Sequence, residues 1–232
     1  MTSNRAAELK ALILPATIDT LTMVFYSSFF AIIIGTVLGI VLYLSKPGSL
    51  RPNRFLNFII GAIVNIGRSM PFIILIIIII PFTKLIAGSS IGNNAFIVSL
   101  TIAAIPFVAR IMEASFAEVD SGVIEAAKAM GASVFQIVTR VLLPESSQSI
   151  ISNITITVIN IVGYSAMAGT VGGTGLGPVA IRYGYVKFQA DTLFFSVLIL
   201  IIFVQLIQTI GSYASNNIVN LTHTISKWVK KY

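Results

Sequence analysis

The stretch VIEAAKAMGASVFQIVTRVLLPE, residues 123–145, is amphipathic and charged, whereas the sequence on either side of it is strongly apolar. It forms the centre of the longest polar segment of the chain, residues 112–149, which is too long for a simple turn. Because charged side chains are costly inside a bilayer, we expect this segment to lie in water between two membrane-embedded parts of the chain. It holds five of the eight acidic residues, namely Glu113, Glu118, Asp120, Glu125 and Glu145.

The residue pattern of this segment predicts two short helices around a glycine. Asp120 or the following serine can cap the first helix, and Gly131 can adopt the left-handed conformation that ends it. Ser133 and Gln136 have the spacing of a capping box that opens the second helix, which Pro144 is predicted to end. At helical spacing an apolar face is shared by Val123, Ala127 and Met130 in the first helix, and by Val134, Val138 and Val141 in the second.

Three interpretations fit such a pair of amphipathic helices. The pair can lie on the membrane interface, dock onto another protein, or bind DNA as a helix-turn-helix. The DNA interpretation is disfavoured because Lys128 and Arg140 are the only basic residues of the two helices, too few to neutralise a row of phosphates. The pattern alone leaves the interfacial and the docking interpretations open.

The composition predicts an all-α polytopic membrane protein. Of the 232 residues, 56% are hydrophobic and 10% are charged, whereas soluble domains have about 25% charged residues. The chain has no cysteine and a single histidine, His223, which excludes disulfides and a histidine-cluster metal site. The net charge of +7 is spread over the loops, which is typical of a membrane protein and argues against nucleic acid as a partner.

Five apolar runs are long enough, or nearly so, to be transmembrane helices. Lys and Arg are more numerous on the side of the opening stretch and the C-terminus, which places both in the cytoplasm and the N-terminus outside. We expect an extracytoplasmic tail (1–16), one transmembrane domain (17–211) and a cytoplasmic basic tail (212–232). The predicted spans cover about 21–44, 58–80, 95–111, 150–168 and 193–210, with the opening stretch between the third and the fourth.

Arg68 is predicted to lie inside the second span, where a charge costs about 3 kcal/mol. Pro71 lacks an N–H and frees the carbonyl of Gly67, so the guanidinium can bond to backbone carbonyls or water. We favour this structural role over a role in transport, with Glu113 as a possible partner.

The glycine-rich stretch GTVGGTGLG, residues 169–177, invites comparison with a phosphate-binding loop. It lacks the Lys-Ser or Lys-Thr ending of such loops and is expected on the outer side, away from ATP. We interpret it as a tight or re-entrant outer segment in which glycine allows backbones to approach closely. The nearby polar residues either line a path or bond to neighbouring helices, and the spacing leaves both open for Asn153, Thr155, Thr157 and Asn160.

The opening stretch resembles the EAA loop of ABC-importer permeases. Glu125-Ala126-Ala127, three residues, Gly131, nine residues and Val141-Leu142-Leu143-Pro144 match that pattern, with Val141 standing where the family usually has Ile. Four further segments are similar to the methionine-import branch of the binding-protein-dependent type I permeases: GRSMPFIIL (67–75), TIAAIPFVAR (101–110), GYSAMAGTVGGTGLG (163–177) and AIRYGY (180–185).

This resemblance implies a permease in a bacterial inner or plasma membrane that works as a homodimer. Two ATPase subunits would dock on the cytoplasmic face, and an extracytoplasmic binding protein would deliver the substrate. The chain itself has no Walker motif and no nucleophile–histidine pair, so it is not expected to be an enzyme or to bind a cofactor; ATP and Mg²⁺ belong to the ATPase.

The resemblance also suggests roles for individual residues. The helix at about 121–130 would couple the permease to the ATPase through Glu125, Ala126, Ala127 and Gly131, followed by Val141, Leu143 and Pro144. Met167 is a candidate outer gate or an ordinary packing residue, and Tyr164, Ser165 and Asn160 border the candidate path. A permease for another small polar solute and a secondary transporter that works without ATP remain as alternatives.

Overall fold

The computed structural model describes the backbone of residues 3–229 and the side chains of residues 5–217. The side chains of the remaining residues, including His223 and most of the predicted basic tail, lie outside the described part. Over that part the chain is helical, with turns between the helices and no β-strand, as the composition predicted.

Ten α-helices make up most of the described chain, and one π-helical turn joins two of them while another extends a third. The π turns are Val138–Leu142, between α6 and α7, and Ala180–Val186, after α9; a 3₁₀ turn covers Ala168–Val171. The helices are α1 (Ser3–Ser45), α2 (Arg54–Ser69), α3 (Phe72–Ala87), α4 (Asn93–Ala117), α5 (Ser121–Ala129), α6 (Val134–Ile137), α7 (Leu143–Glu145), α8 (Ser147–Ser165), α9 (Leu176–Val179) and α10 (Ala190–Val229).

Three helices of the described chain are long and apolar enough to cross a membrane. They are α1 over Arg5–Ser45, α4 over its full length, and α10 over Ala190–Asn217. The apolar helix α3 has 16 residues, and α8 has 19 residues but carries several polar side chains. Since about 20 residues cover the hydrocarbon thickness, α3 alone is too short for a crossing.

The first helix begins much earlier than the predicted start at residue 21. Residues 3–20 continue α1 without a break, even past Pro15, so the described part of the predicted tail, residues 3–16, is helical. Two of the polar side chains that interrupt the apolar pattern, Arg5 and Asp19, have distant partners in the fold. Arg5 donates from Nε and Nη2 to the two carboxylate oxygens of Asp191, each at 2.8 Å, and Asp19 accepts a hydrogen bond from Thr174.

The predicted second span, 58–80, is wrong as a single helix because the chain breaks between α2 and α3. Met70 is extended (φ −82°, ψ 133°), and Pro71 stands just before α3. Proline cannot donate the backbone hydrogen bond that would continue α2 through this point. The predicted end at residue 80 is also wrong, because α3 continues through Pro81 to Ala87. The next residue, Gly88, lies in the left-handed region (φ 74°).

The other three predicted spans correspond to helices with shifted ends. The third, 95–111, lies within α4, which continues through Pro106 to Ala117. The fourth, 150–168, corresponds to α8, which starts three residues earlier and ends at Ser165. The fifth, 193–210, lies within α10, which passes the predicted domain boundary at residue 211 without a break.

Helix α4 forms the centre of the bundle, and its buried side chains pack against α1, α3 and α8. The backbones of α1 and α4 approach so closely that a Cβ on Gly35 would lie 2.5 Å from the Cβ of Val108. Glycine at this point therefore allows the contact. The core of α4 includes Phe96, Leu100, Val108, Met112 and Phe116, all at most 1% exposed.

Candidate functional site

The helix α5 is capped at its start and closed at its end as the sequence predicts. The N–H of Gly122 donates to Asp120 Oδ1 at 2.6 Å. Gly131 has a left-handed backbone (φ 82°), and its N–H donates to the carbonyl of Lys128 at 3.0 Å. Both ends of α5 are thus held by hydrogen bonds, which gives the short helix a defined orientation.

The second helix of the loop opens with the predicted capping box. The N–H of Ser133 donates to Gln136 Oε1 at 2.8 Å, and the N–H of Gln136 donates to Ser133 Oγ at 3.3 Å. The predicted end at Pro144 is wrong, because helical turns continue through it to Glu145. The π-helical turn Val138–Leu142 precedes this proline, and its wider turn accommodates a ring that would clash in an α-helix.

One side of this loop packs into the bundle and the other side is free. Ala127 is 5% exposed and belongs to the same buried cluster as Val138 and Leu142. The predicted face of α5 is correct only for Ala127, because Val123 is 43% exposed and Met130 lies beyond the end of the helix. The free side, which we call the loop surface, consists of Val123, Glu125, Ala126, Met130 and Phe135, all exposed.

A buried carboxylate on α4 lies in the helix that leads into this loop. The Glu113 side chain is 3% exposed, with Oε1 2.8 Å from Lys46 Nζ and Oε2 2.7 Å from Arg110 Nη1. Arg110 Nη2 also donates to Asn65 Oδ1 at 2.6 Å. This group, which we call the Glu113 cluster, joins α2, α4 and the end of α1. The proposed pairing of Glu113 with Arg68 is therefore wrong, because two other cations occupy the carboxylate.

A cavity of about 170 Å³ lies between the α2–α3 break, α4 and α8. Arg68, at the last turn of α2, is one of its lining residues. Small residues of α4, Ala103 and Ala104, leave space opposite the break. Polar and aromatic side chains also line the cavity, among them Phe72, Phe107, Thr157, Asn160 and Tyr164.

The predicted path residues divide into those that line this cavity and those that do not. Tyr164 is 38% exposed and stacks on Phe72, with ring centroids 4.5 Å apart. Asn160 also lines the cavity, whereas Ser165 is 2% exposed and donates to the carbonyl of Val162 within its own helix. Met167 is 41% exposed and lies after the end of α8, outside the cavity lining.

The remaining polar residues of α8 mostly make hydrogen bonds inside the bundle. Asn153 Nδ2 donates to Ser115 Oγ of α4 at 2.8 Å. Thr155 and Thr157 donate to carbonyls of their own helix, each at 2.8 Å, although Thr157 also lines the cavity. In the described chain, no group of three or more Asp, Glu or His side chains is placed to hold a metal ion.

The glycine-rich stretch 169–177 is closely packed, as the sequence predicts. A Cβ on Gly177 would lie 2.2 Å from the Cα of Ala166, so only glycine fits there. The N–H of Leu176 donates to Thr20 Oγ1 at 2.9 Å, and the N–H of Thr174 donates to Asn93 Oδ1 at 2.7 Å. These bonds attach the stretch to α1 and α4 and occupy two of its backbone donors.

Several known proteins are similar to this chain in sequence and in fold. A probable D-methionine transport system permease protein MetI from Vibrio cholerae is 50% identical over 200 residues, which cover 86% of this chain and 89% of that protein. The methionine import system permease protein MetP from Bacillus subtilis is 46% identical over 176 residues, covering 76% and 79%.

A solved structure described as an inward-facing conformation of the MetNI methionine ABC transporter contains a similar chain. The TM-score is 0.88 at 43% identity, with 94% of this chain and 99% of that chain covered. The model of one protein family, the binding-protein-dependent transport system inner membrane components, matches residues 31–218. The chain belongs to this family of inner-membrane permease components.

Proposed function

We propose that the chain is the permease subunit of an ATP-driven methionine importer. The observation that carries this proposal is the 50% identity over 200 residues with a probable D-methionine permease. Among the described helices, three can cross a membrane, and a cavity with a polar and apolar lining lies between α2, α3, α4 and α8. A path for a small amphipathic solute needs both features.

The permease crosses the bilayer five times, at α1, at α2 and α3 together, at α4, at α8 and at α10. The two 16-residue helices α2 and α3 together are long enough for one crossing with a break. The polar character of α8 fits a crossing inside the bundle, since Thr155, Thr157 and Ser165 are buried. An odd number of crossings puts the N-terminus on one side and the loop after α4 and the C-terminus on the other. The excess of Lys and Arg on the side of the loop and the C-terminus assigns that side to the cytoplasm and the N-terminus to the outside.

The functional unit is a homodimer with two ATPase subunits on the cytoplasmic side and a binding protein outside. ATP and Mg²⁺ bind to the ATPase, and this chain binds no cofactor of its own. Helix α5 is the coupling helix, a role supported by the exposed side chains of the loop surface: Val123 of α5 (43%), Met130 just after it (81%) and Phe135 of α6 (75%). Since Ala127 anchors α5 in the core, a displacement of α5 reaches α4 and α8 as a rigid-body motion.

Transport follows alternating access. Closure of the ATPase pair brings the two coupling helices together and opens the dimer outward, and hydrolysis returns it inward. Met167 forms the outer gate with its copy, because its flexible apolar side chain can close a narrow path at the dimer axis. Asn160 and Tyr164 line the path below this gate.

Reconstitution into proteoliposomes tests the proposed function. The chain is co-expressed with its ATPase subunit, and uptake of radiolabelled L-methionine is measured with the binding protein outside and the ATPase exposed to MgATP. We expect uptake only when the ATPase, MgATP and the binding protein are all present.

Omission of each component provides the control. Methionine uptake without the ATPase would contradict the proposal and favour a secondary transporter. If the complex takes up a different solute and no methionine, the ATP-driven mechanism would still stand but the assignment of methionine as the substrate would be refuted.

A further inference from the structure

Arg68 has the position of a free cation rather than of a structural one. A structural role predicts that the guanidinium bonds to the carbonyls released at the α2–α3 break. Among the side chains that the structure describes, no hydrogen bond or ion pair includes Arg68, and the residue is exposed. The nearest candidate anion from the sequence, Glu113, is instead held by Lys46 and Arg110.

The cavity beside Arg68 has one charged group and a mostly apolar wall. Arg68 is the only ionisable cation among the lining residues, and no Asp or Glu belongs to the lining. Neutral hydrogen-bonding groups come from α8, as the amide of Asn160 and the hydroxyl of Tyr164. The apolar groups of the lining include Met70, Phe72, Leu75, Phe107 and Ile161.

This arrangement of groups matches one class of ligand. A guanidinium binds a carboxylate through two parallel, charge-assisted N–H donors. Oxygen atoms of Asn160 and Tyr164 can accept hydrogen bonds from an ammonium group, while the apolar wall favours a side chain without charge. The missing acidic residue disfavours a ligand with net positive charge.

We propose that this cavity is an amino-acid site of the permease itself, with Arg68 as the residue that binds the α-carboxylate. The ligand class is an α-amino acid with an unbranched or thioether apolar side chain. This inference rests on the proposed function, which places the cavity on the transport path. It gives the permease a selectivity of its own, separate from that of the binding protein.

The test uses the purified permease–ATPase complex in detergent without the binding protein. Binding of radiolabelled L-methionine is measured by equilibrium dialysis, with unlabelled compounds as competitors. Norleucine, which lacks only the sulfur, should compete with methionine within a few-fold. Methioninamide, in which a neutral amide replaces the carboxylate, should compete at least tenfold less well because it cannot pair with Arg68.

A matched pair of variants assigns the carboxylate site to one residue. Arg68 and Lys84 each lie in the last turn of a helix, α2 and α3, but Lys84 is outside the cavity lining. Arg68→Gln should weaken methionine binding at least tenfold, and Lys84→Gln should leave it within twofold. Arg68→Lys should give an intermediate affinity, since an ammonium keeps the charge but loses the bidentate geometry.

Equal competition by methioninamide and by methionine would overturn the proposal. This measurement uses the wild-type complex, so it remains decisive even if the Arg68→Gln complex fails to assemble. Unchanged binding by an assembled Arg68→Gln complex also overturns it. Uptake in proteoliposomes separates this failure from a failure of the proposed function. If the wild-type complex imports methionine but binds methioninamide as well as methionine, the amino-acid site at Arg68 is refuted and the proposed function is not.

Discussion

At the scale of single residues, Glu113 is a buried acidic side chain that joins α4 to the end of α1. Its carboxylate is 3% exposed and lies within 2.8 Å of two cations. Removal of one partner from a buried ion pair costs about 3–5 kcal/mol, because the remaining charge is left unpaired. Lys46 and Arg110 are 45% and 30% exposed, so water can compensate part of this loss.

Glu113→Gln should therefore destabilise the protein by about 2–3 kcal/mol, below the range for a fully buried pair. For a chain of this size we expect a fall of roughly 5–10 °C in melting temperature. The measurement is thermal unfolding of the purified protein in detergent, followed by far-UV circular dichroism or by aggregation.

Glu118→Gln serves as the matched control for this change. Glu118 is exposed just after the end of α4 and pairs with no cation among the described side chains. Its variant should melt within about 1–2 °C of the wild type, since exposed charges contribute little. Equal melting temperatures for the Glu113 variant and the wild type would show that the Glu113 cluster does not stabilise the fold.

The sequence contains part of the information on this cluster. Arg110 and Glu113 are three residues apart, a spacing at which side chains meet on a helix surface. Their pairing is thus predictable from the sequence, and it competes with the pairing of Glu113 to Arg68. The contact with Lys46 is not predictable in this way, because it depends on the packing of α1 against α4, 67 positions away in the chain.

At the scale of elements, local signals were reliable where hydrogen bonds close within a few residues. The cap at Asp120, the capping box of Ser133 and the left-handed Gly131 are all such signals. The start of α1 is not predictable from the local sequence, because the polar residues of its first turns are paired with residues far away in the chain. Arg5 is bound by Asp191 of α10, a contact that no local pattern contains.

Gly131 sets the angle at which α5 meets α6, and its backbone is the reason that glycine is needed. It has φ 82°, and no atom lies within 4 Å of the position of a Cβ, so strain rather than a clash limits substitution. A β-branched residue in this conformation costs about 1–2 kcal/mol. Gly131→Val should thus lower the population of the correct turn and reduce methionine uptake by roughly 5–30-fold.

Gly131→Asn is the control at the same position, because asparagine tolerates the left-handed region better than other residues. Its uptake should remain within a few-fold of the wild type. Uptake per ATP hydrolysed is measured for both variants in proteoliposomes with the ATPase. If Gly131→Val transports and stimulates ATP hydrolysis as the wild type does, the turn is not part of the coupling.

At the scale of the whole molecule, burial follows the position of each helix in the bundle. Over the spanning segment of α10, 6% of residues are buried, whereas α4 has 44% buried. The monomer therefore exposes large apolar surfaces on α10 and α1, which lipid or a second copy can cover. The hydropathy of α10 marks it clearly as a membrane-spanning helix. The hydropathy of α8 is too low for this, because α8 has polar residues that bond to other helices.

The absence of cysteine makes the homodimer and the outer gate testable with a single substitution. If Met167 of the two copies meets at the dimer axis, Met167→Cys places two thiols close together. A disulfide requires Cα atoms within about 7 Å, so efficient crosslinking would report direct contact. We expect a crosslinked dimer on oxidation of membranes in the inward-facing resting state, measured by non-reducing gel electrophoresis.

The state of the transporter and the position of the thiol supply the controls. Trapping the ATPase pair closed with an ATP analogue should open the outer gate and reduce the crosslink. Ile202→Cys is a substitution at a 46% exposed position of α10, and it should not crosslink if lipid rather than a second copy covers this face of the helix. Crosslinking at Ile202 with none at Met167 would contradict the gate and place α10 at the dimer interface instead.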